Sequence, residues 1–435
     1  MKEKKAIALM MACALATGTL AGCGQNAASA SSDTGTTPST ATAGTASKGD
    51  VTLTVYGGTS VMKEAIDKIV ADYQAQTGVA IEWEIPGDEP YTLLKTRFAS
   101  DEAPDIFDLA NGDYATWGVR CADLTGQPWQ SHMDETALQA ATVDGKLLGF
   151  PYAVEGNGIV YNKELFKQAG IEKLPETLDE LEQTCKTLQD TGIQPFGEAF
   201  KEWGFLMHMF GTPVAYEKDP KAFCDELAAG TKTIGDLANI DNFFRFYDMT
   251  LNYGKGAESV GYAVADQLTD FSAGKMAMIK QGTWAGDPIW SINPDMQLGL
   301  MAIPLTNNAA DTKLMTSATR YFSVANTSGH QAEAMSFLNW LYENAQTYLV
   351  EGAMRVAPPY DNVDVSQLGS LNEDMQKYMN EGKAFPIFGT EYFPSGFVTD
   401  IATPLQSYAA GVVDKQGAID GLQKAYENRL SAQAG

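Results

Sequence analysis

The chain is poor in the residues from which most catalytic and metal sites are built. Of 435 residues only three are histidine, His132, His208 and His330, and none stands at the spacing of a metal-ligand pair or a nucleophile–base set. No Gly-x-Ser-x-Gly elbow and no phosphate-binding loop occurs. Positive charge is also scarce: 30 Lys and Arg stand against 55 Asp and Glu, a formal charge of −25. A polyanion of this size is repelled by nucleic acid and by anionic lipid headgroups, so no nucleic-acid partner is expected. Cysteine numbers five. Of these Cys121, Cys185 and Cys224 are widely spaced and suggest neither a disulfide framework nor a metal pair. No cofactor or metal is expected, and the fold must rest on the size of its core.

Long apolar runs are missing too. The longest, Ala6 to Leu20, has about fifteen residues where a membrane-spanning helix needs roughly 20. It follows Lys2, Lys4 and Lys5 and ends in Leu20-Ala21-Gly22-Cys23. A basic start, a short apolar segment and small residues before a cut describe a signal peptide over 1–22. Leu-Ala-Gly-Cys matches the bacterial lipobox, in which Cys23 is lipidated and becomes the mature N-terminus. Losing Lys2, Glu3, Lys4 and Lys5 removes a net +2 and leaves −27. From Gly24 to Gly49 the chain is almost entirely Ser, Thr, Ala and Gly, too little apolar surface to offset ordering, so 23–49 reads as a lipid-bearing tether. The expected location is the outer side of the cytoplasmic membrane, on a Gram-positive cell surface, with a periplasm-facing lipoprotein as the alternative.

Beyond the tether the chain is rich in ordered pattern. Val51, Leu53 and Val55 alternate with polar residues as a strand, Gly57-Gly58 is a turn, and Val61, Ala65, Ile66, Ile69, Val70 and Tyr73 have helical spacing. Val79–Ile85 alternates again, Asp88 caps a helix beginning near Pro90, and Asp105–Leu109 is a third strand. Strand–helix repetition predicts an α/β fold with an open parallel sheet, whose ligands bind beyond the C-terminal strand ends. The loops Gly57–Ser60 and Asn111–Tyr114 lie there. About 385 residues after the tether exceed one core, so two lobes are expected.

Three segments carry a resemblance. Asp144-Gly145-Lys146-Leu147-Leu148-Gly149-Phe150-Pro151-Tyr152 runs into Glu155 and then Ile159-Val160-Tyr161-Asn162-Lys163-Glu164-Leu165-Phe166, with Thr177 and Glu180 at capping-box spacing. Phe271-Ser272-Ala273-Gly274-Lys275-Met276-Ala277-Met278 leads to Gly282-Thr283-Trp284. Pro304 then leads through Phe322-Ser323-Val324-Ala325 to Glu333-Ala334 and Phe337-Leu338. In this order they closely resemble the extracellular solute-binding proteins of ABC importers, in the carbohydrate cluster that includes maltose-binding protein. The resemblance implies a two-lobed periplasmic-binding-protein-like fold with a hinge crossed more than once. It implies lobe 1 over 51–153 plus 300–333 and lobe 2 over 154–299 plus 334–435. Strand-like 297–303 and 321–325 agree with a return to the first sheet. The implied protein is a monomer that captures a carbohydrate and delivers it to permease subunits.

A sugar site combines aromatic faces for C–H patches with charged or amide groups for hydroxyls. By the resemblance, Trp284 stacks on the sugar and Glu155 accepts its hydroxyls. Asn111 and Asp113 follow the third strand, where the family places polar ligands. Trp203, Glu198 and Arg320 are further candidates, and Phe388 represents the aromatic that C-terminal loops sometimes lend. Trp83 and Trp117 read as core; Trp129, Trp290 and Trp340 read as structural. Two other readings stay open: the same fold binding a polyamine or peptide, and a secreted glycoside hydrolase using paired acids such as Asp105, Asp108 and Asp113.

Overall fold

Two long antiparallel strands join everything else. The computed structural model describes residues 51–59, 62–86, 90–110, 112–386, 392–394 and 396–434. The signal segment, Cys23 and the tether lie outside them, as do Asp88, Asn111 and Phe388. In chain order the strands are β1 (Thr52–Tyr56), β2 (Ala80–Glu84), β3 (Ile106–Leu109), the short pair β4 (Thr142–Val143) and β5 (Lys146–Leu147), and β6 (Phe150–Asn162). They continue with β7 (Gln194–Phe196), β8 (Met276–Gly282), β9 (Leu298–Met301), β10 (Leu314–Val324) and β11 (Ala384–Pro386).

The first part follows its pattern closely. In β1 Leu53, Val55 and Tyr56 are buried while Thr52 is exposed. The helix Lys63–Thr77 buries Ala65, Ile66, Ile69 and Tyr73 and stops at Gly78, whose φ of +80° is left-handed. β2 and β3 both run parallel to β1. The parallel sheet expected from strand–helix repetition ends there, because β10 lies antiparallel to β3 and β6 antiparallel to β10. The path β2-β1-β3-β10-β6-β8-β7 is therefore a mixed sheet, with β9 on β6 and β11 on β10.

β6 and β10 serve two bodies at once. Phe150–Asn157 of β6 pairs with β10, and its far end pairs with β8 and β9. Their ladder is irregular around Ala318, Arg320 and Tyr321, the bend that a bulge imposes on a strand. One apolar cluster gathers Leu53 through Ala153 with Ala318 through Tyr360. Two others take the far half of β6, the helical centre and the C-terminal helices. β9 packs with those latter two, whereas a return to the first sheet was expected over 297–303; the return is made by β10. The helix Gln331–Glu343 buries Ala334, Phe337, Leu338 and Leu341 in the first cluster. Cys121, Cys185 and Cys224 are free and buried. Trp129 and Trp340 are core residues with indole N–H groups bound to Asn339 and Gln76.

Candidate functional site

Glu155 lies at the middle of β6, and it alone of that strand's thirteen residues is not buried. Its ladder partner is Ser317 of β10, beside the irregular stretch. Around it Val154, Thr283, Trp284, Trp290, Arg355 and Asn372 help line a concavity of about 110 Å³. Glu155 makes no side-chain hydrogen bond to a described residue. Burial raises its pKa and the Arg320 charge opposes that rise.

Arg320 belongs to a network on the first body. Asp108, at 7 % exposure, takes three donors on one oxygen: Arg320 Nη1 at 2.9 Å, Tyr152 Oη at 2.9 Å and the Gly58 N–H at 3.1 Å. Its other oxygen, Oδ1, is buried without a partner among the described residues. Gly57 permits the approach, since a Cβ there would stand 2.4 Å from Asp108 Cβ. Burial raises the Asp108 pKa, against Arg320 and the other donors. Asp113 accepts from the Tyr91 hydroxyl and, at 2.8 Å, from the Ala110 N–H. Its pKa is raised by burial, with Arg320 again among the opposing influences. One guanidinium thus couples electrostatically to Asp108, Asp113 and Glu155.

Trp284 is held by a different network. Its indole N–H donates to Gln281 Oε1 at 2.7 Å, Gln281 Nε2 to Gln267 Oε1 at 2.8 Å, and Gln267 Nε2 to Glu198 Oε2 at 3.1 Å. Glu198 Oε1 accepts the Lys280 N–H at 2.9 Å. Gly282 lets the indole fold over the backbone, because a Cβ there would lie 2.3 Å from Trp284 Cζ3. His208 leans on the same ring, with centroids 5.2 Å apart and planes 30° apart.

Glu198 therefore corrects an expectation. Placed by sequence among groups that meet the ligand, it has no exposed surface and both oxygens are engaged. It anchors Trp284 from behind instead. Trp203 opens the helix Trp203–Ala215 and is 47 % exposed, outside the concavity. Asn111 and Phe388 lie outside the described residues. Trp117 is core, and Trp83 packs edge-on against Phe322 and Phe337.

Trp290, Asp287, Arg355 and Asn372 line the concavity without having been singled out. Trp290 read as structural, and its N–H does bond the Met296 carbonyl at 3.1 Å. The signal was its distance of six residues from Trp284, which a short helix, Gly286–Ile292, turns into a shared wall. Arg355 and Asn372 come from a segment that only tertiary packing brings near. Asp108 was noticed only as a member of an acid cluster.

Residues 59–348 match the family described as bacterial extracellular solute-binding protein. The melibiose/raffinose/stachyose-binding protein MelE of Bacillus subtilis is 23 % identical over 395 residues, covering 88 % of this chain and 91 % of MelE. The apo form of RafE from Streptococcus pneumoniae superimposes with a TM-score of 0.76 at 21 % identity, covering 88 % of this chain and 99 % of RafE. RafE in complex with raffinose gives 0.67 at 20 % identity, over 87 % of this chain and all of the other.

Proposed function

The chain belongs to the family of bacterial extracellular solute-binding proteins, and we propose that it captures a carbohydrate and delivers it to the permease of an ABC importer. The observation that carries this reading is the concavity in which Glu155 stands beside Trp284 and Trp290. Two aromatic rings and a carboxyl group without a partner among the described residues are what a pyranose requires: flat apolar faces for its C–H patches and an acceptor for its hydroxyls. MelE, named for three saccharides, supports the same class.

Packing supports a division into lobes that meet at β6 and β10. The sequence-based boundaries are kept at 153/154. The later crossing moves from 299/300 to about 317/318, and 334–360 goes with the first lobe, following the cluster that runs from Ala318 to Tyr360. A sugar held by residues of both lobes shifts the equilibrium toward closure by its extra affinity for the closed form. The higher fold likeness to apo RafE than to its raffinose complex supports reading the described arrangement as open.

The protein acts as a monomer, without chemistry on its ligand, and is tethered through lipid on Cys23 at a Gram-positive cell surface. No described helix is long and apolar enough to cross a membrane, which suits attachment by lipid.

Thermal shift of the purified protein against mono-, di- and oligosaccharides, spermidine and peptides tests the function. A ligand at 100 times its Kd adds about 2.7 kcal/mol of stability. A saccharide that raises the midpoint in wild type but not in Trp284→Ala is the expected result. A shift by spermidine or a peptide alone would replace the substrate class, and turnover of a glycoside would replace the function.

A further inference from the structure

Trp284 also lines a second cavity, of about 300 Å³. Phe205, Leu268, Trp284 and Pro288 give it apolar walls, and Glu202, His208, Lys280 and Gln281 are its polar members. Two of these are already committed. Glu202 Oε2 accepts the Val264 N–H at 3.2 Å, and Gln281 is held between Gln267 and Trp284.

Lys280 and His208 are not. Lys280 is 1 % exposed, yet its Nζ bonds no described residue; its neighbour is the Phe205 ring, 5.8 Å from Nζ to centroid, and burial pushes its pKa down to about 7 against the opposing Glu198 charge. Glu198 shares the interior but forms no ion pair with it, both carboxylate oxygens being taken elsewhere. His208 Nδ1 lies 3.4 Å from the Asn157 amide nitrogen, and with that nitrogen as the donor the ring proton stands on Nε2. That N–H has no described acceptor. Burial, aided by the Lys280 charge, pushes the His208 pKa down to about 3, so the ring is neutral.

The cavity therefore presents two buried nitrogen groups, the Lys280 amine and the His208 ring, and offers them no acceptor. Burying such groups unpaired is costly. A sugar hydroxyl would bring a hydrogen of its own into this place, whereas a carboxylate brings acceptors only and a charge that favours the ammonium form of Lys280. We infer that this cavity receives the carboxylate of an acidic sugar unit, bound by the Lys280 ammonium and the His208 Nε2–H, while the rest of the ligand lies against Trp284. This rests on the carbohydrate reading and narrows it to uronate-bearing saccharides. The acidic surface does not forbid it, because exposed charges are screened beyond about 8 Å at physiological salt.

Isothermal titration at physiological salt, with a uronate-containing disaccharide and its neutral counterpart of the same linkage, tests the inference. The acid is expected to bind about 10- to 100-fold more tightly, the worth of a charged hydrogen-bond pair. Lys280→Met should remove that preference and His208→Phe should reduce it. Should Lys280→Met fail to fold, as its melting profile would reveal, His208→Phe decides alone. Equal or weaker binding of the acid, or a preference that survives these substitutions, overturns the inference and leaves the carbohydrate reading intact. If neither saccharide binds and the wider panel shows no sugar, both fall.

Discussion

The two hydrogen-bond networks flanking Glu155 are built on opposite plans. Around Glu198 the chain of donors and acceptors is closed: Gln267, Gln281 and the Trp284 N–H each have their partner, and Gln267 also donates to the Gly197 carbonyl at 2.7 Å. Around Asp108 it is open, with three donors crowded on one oxygen, the other oxygen idle, and an Arg320 side chain that is 37 % exposed. A closed network fixes a side chain and gains nothing from a ligand. An open one keeps valence in reserve. The comparison teaches that Trp284 is a rigid platform and that the Asp108–Arg320 side adapts.

Breaking the closed network should have the largest effect. Gln267→Leu strands a carboxylate oxygen, a carbonyl and the Gln281 amide in the interior, and is expected to cost about 3 kcal/mol of stability, read by denaturant unfolding. Asp108→Asn should cost less, about 1 to 1.5 kcal/mol, since the amide oxygen keeps accepting while its NH2 takes the idle position; a loss as large as that of Gln267→Leu would dissolve the contrast.

Glu155→Gln sharpens the comparison from between the networks. The folded-state pKa of Glu155 lies above its ordinary 4.5, chiefly through burial. Its contribution to stability is thus present below that ordinary value and is lost as pH rises through the folded value. Glu155→Gln should therefore stabilise the free protein at neutral pH, with the gain vanishing below pH 4.5, while weakening saccharide binding. Unfolding at several pH values reads the first effect and titration the second. Lys63→Ala, which removes an exposed ion pair to Asp67 of 2.8 Å, should change stability by less than about 0.5 kcal/mol and binding not at all.

Much of this molecule was legible before its coordinates. Thr177 accepts from the Glu180 N–H as capping-box spacing requires, although Glu180 returns its bond to the Glu176 N–H rather than to Thr177. The first lobe's strands and helix emerged within a residue or two because their periodicities are local. Glu155 and Trp284 were named because motifs mark them. What stayed hidden depends on partners far along the chain. No pattern near Glu198 announces that Gln267 and the Lys280 N–H will saturate it. Asp108 looks like any acid in a short strand until β10 delivers Arg320. The mixed direction of the sheet was hidden for the same reason, since it is set by β10 lying between β3 and β6.

That placement of β10 has a consequence for how the protein comes into being. The apolar cluster that begins at Leu53 is unfinished without Ala318 through Tyr360, and β6 meets its β10 partners more than 150 positions later. A chain emerging from its N-terminus must hold more than 250 residues of incomplete structure until these arrive. Contacts so distant in sequence make for slow assembly.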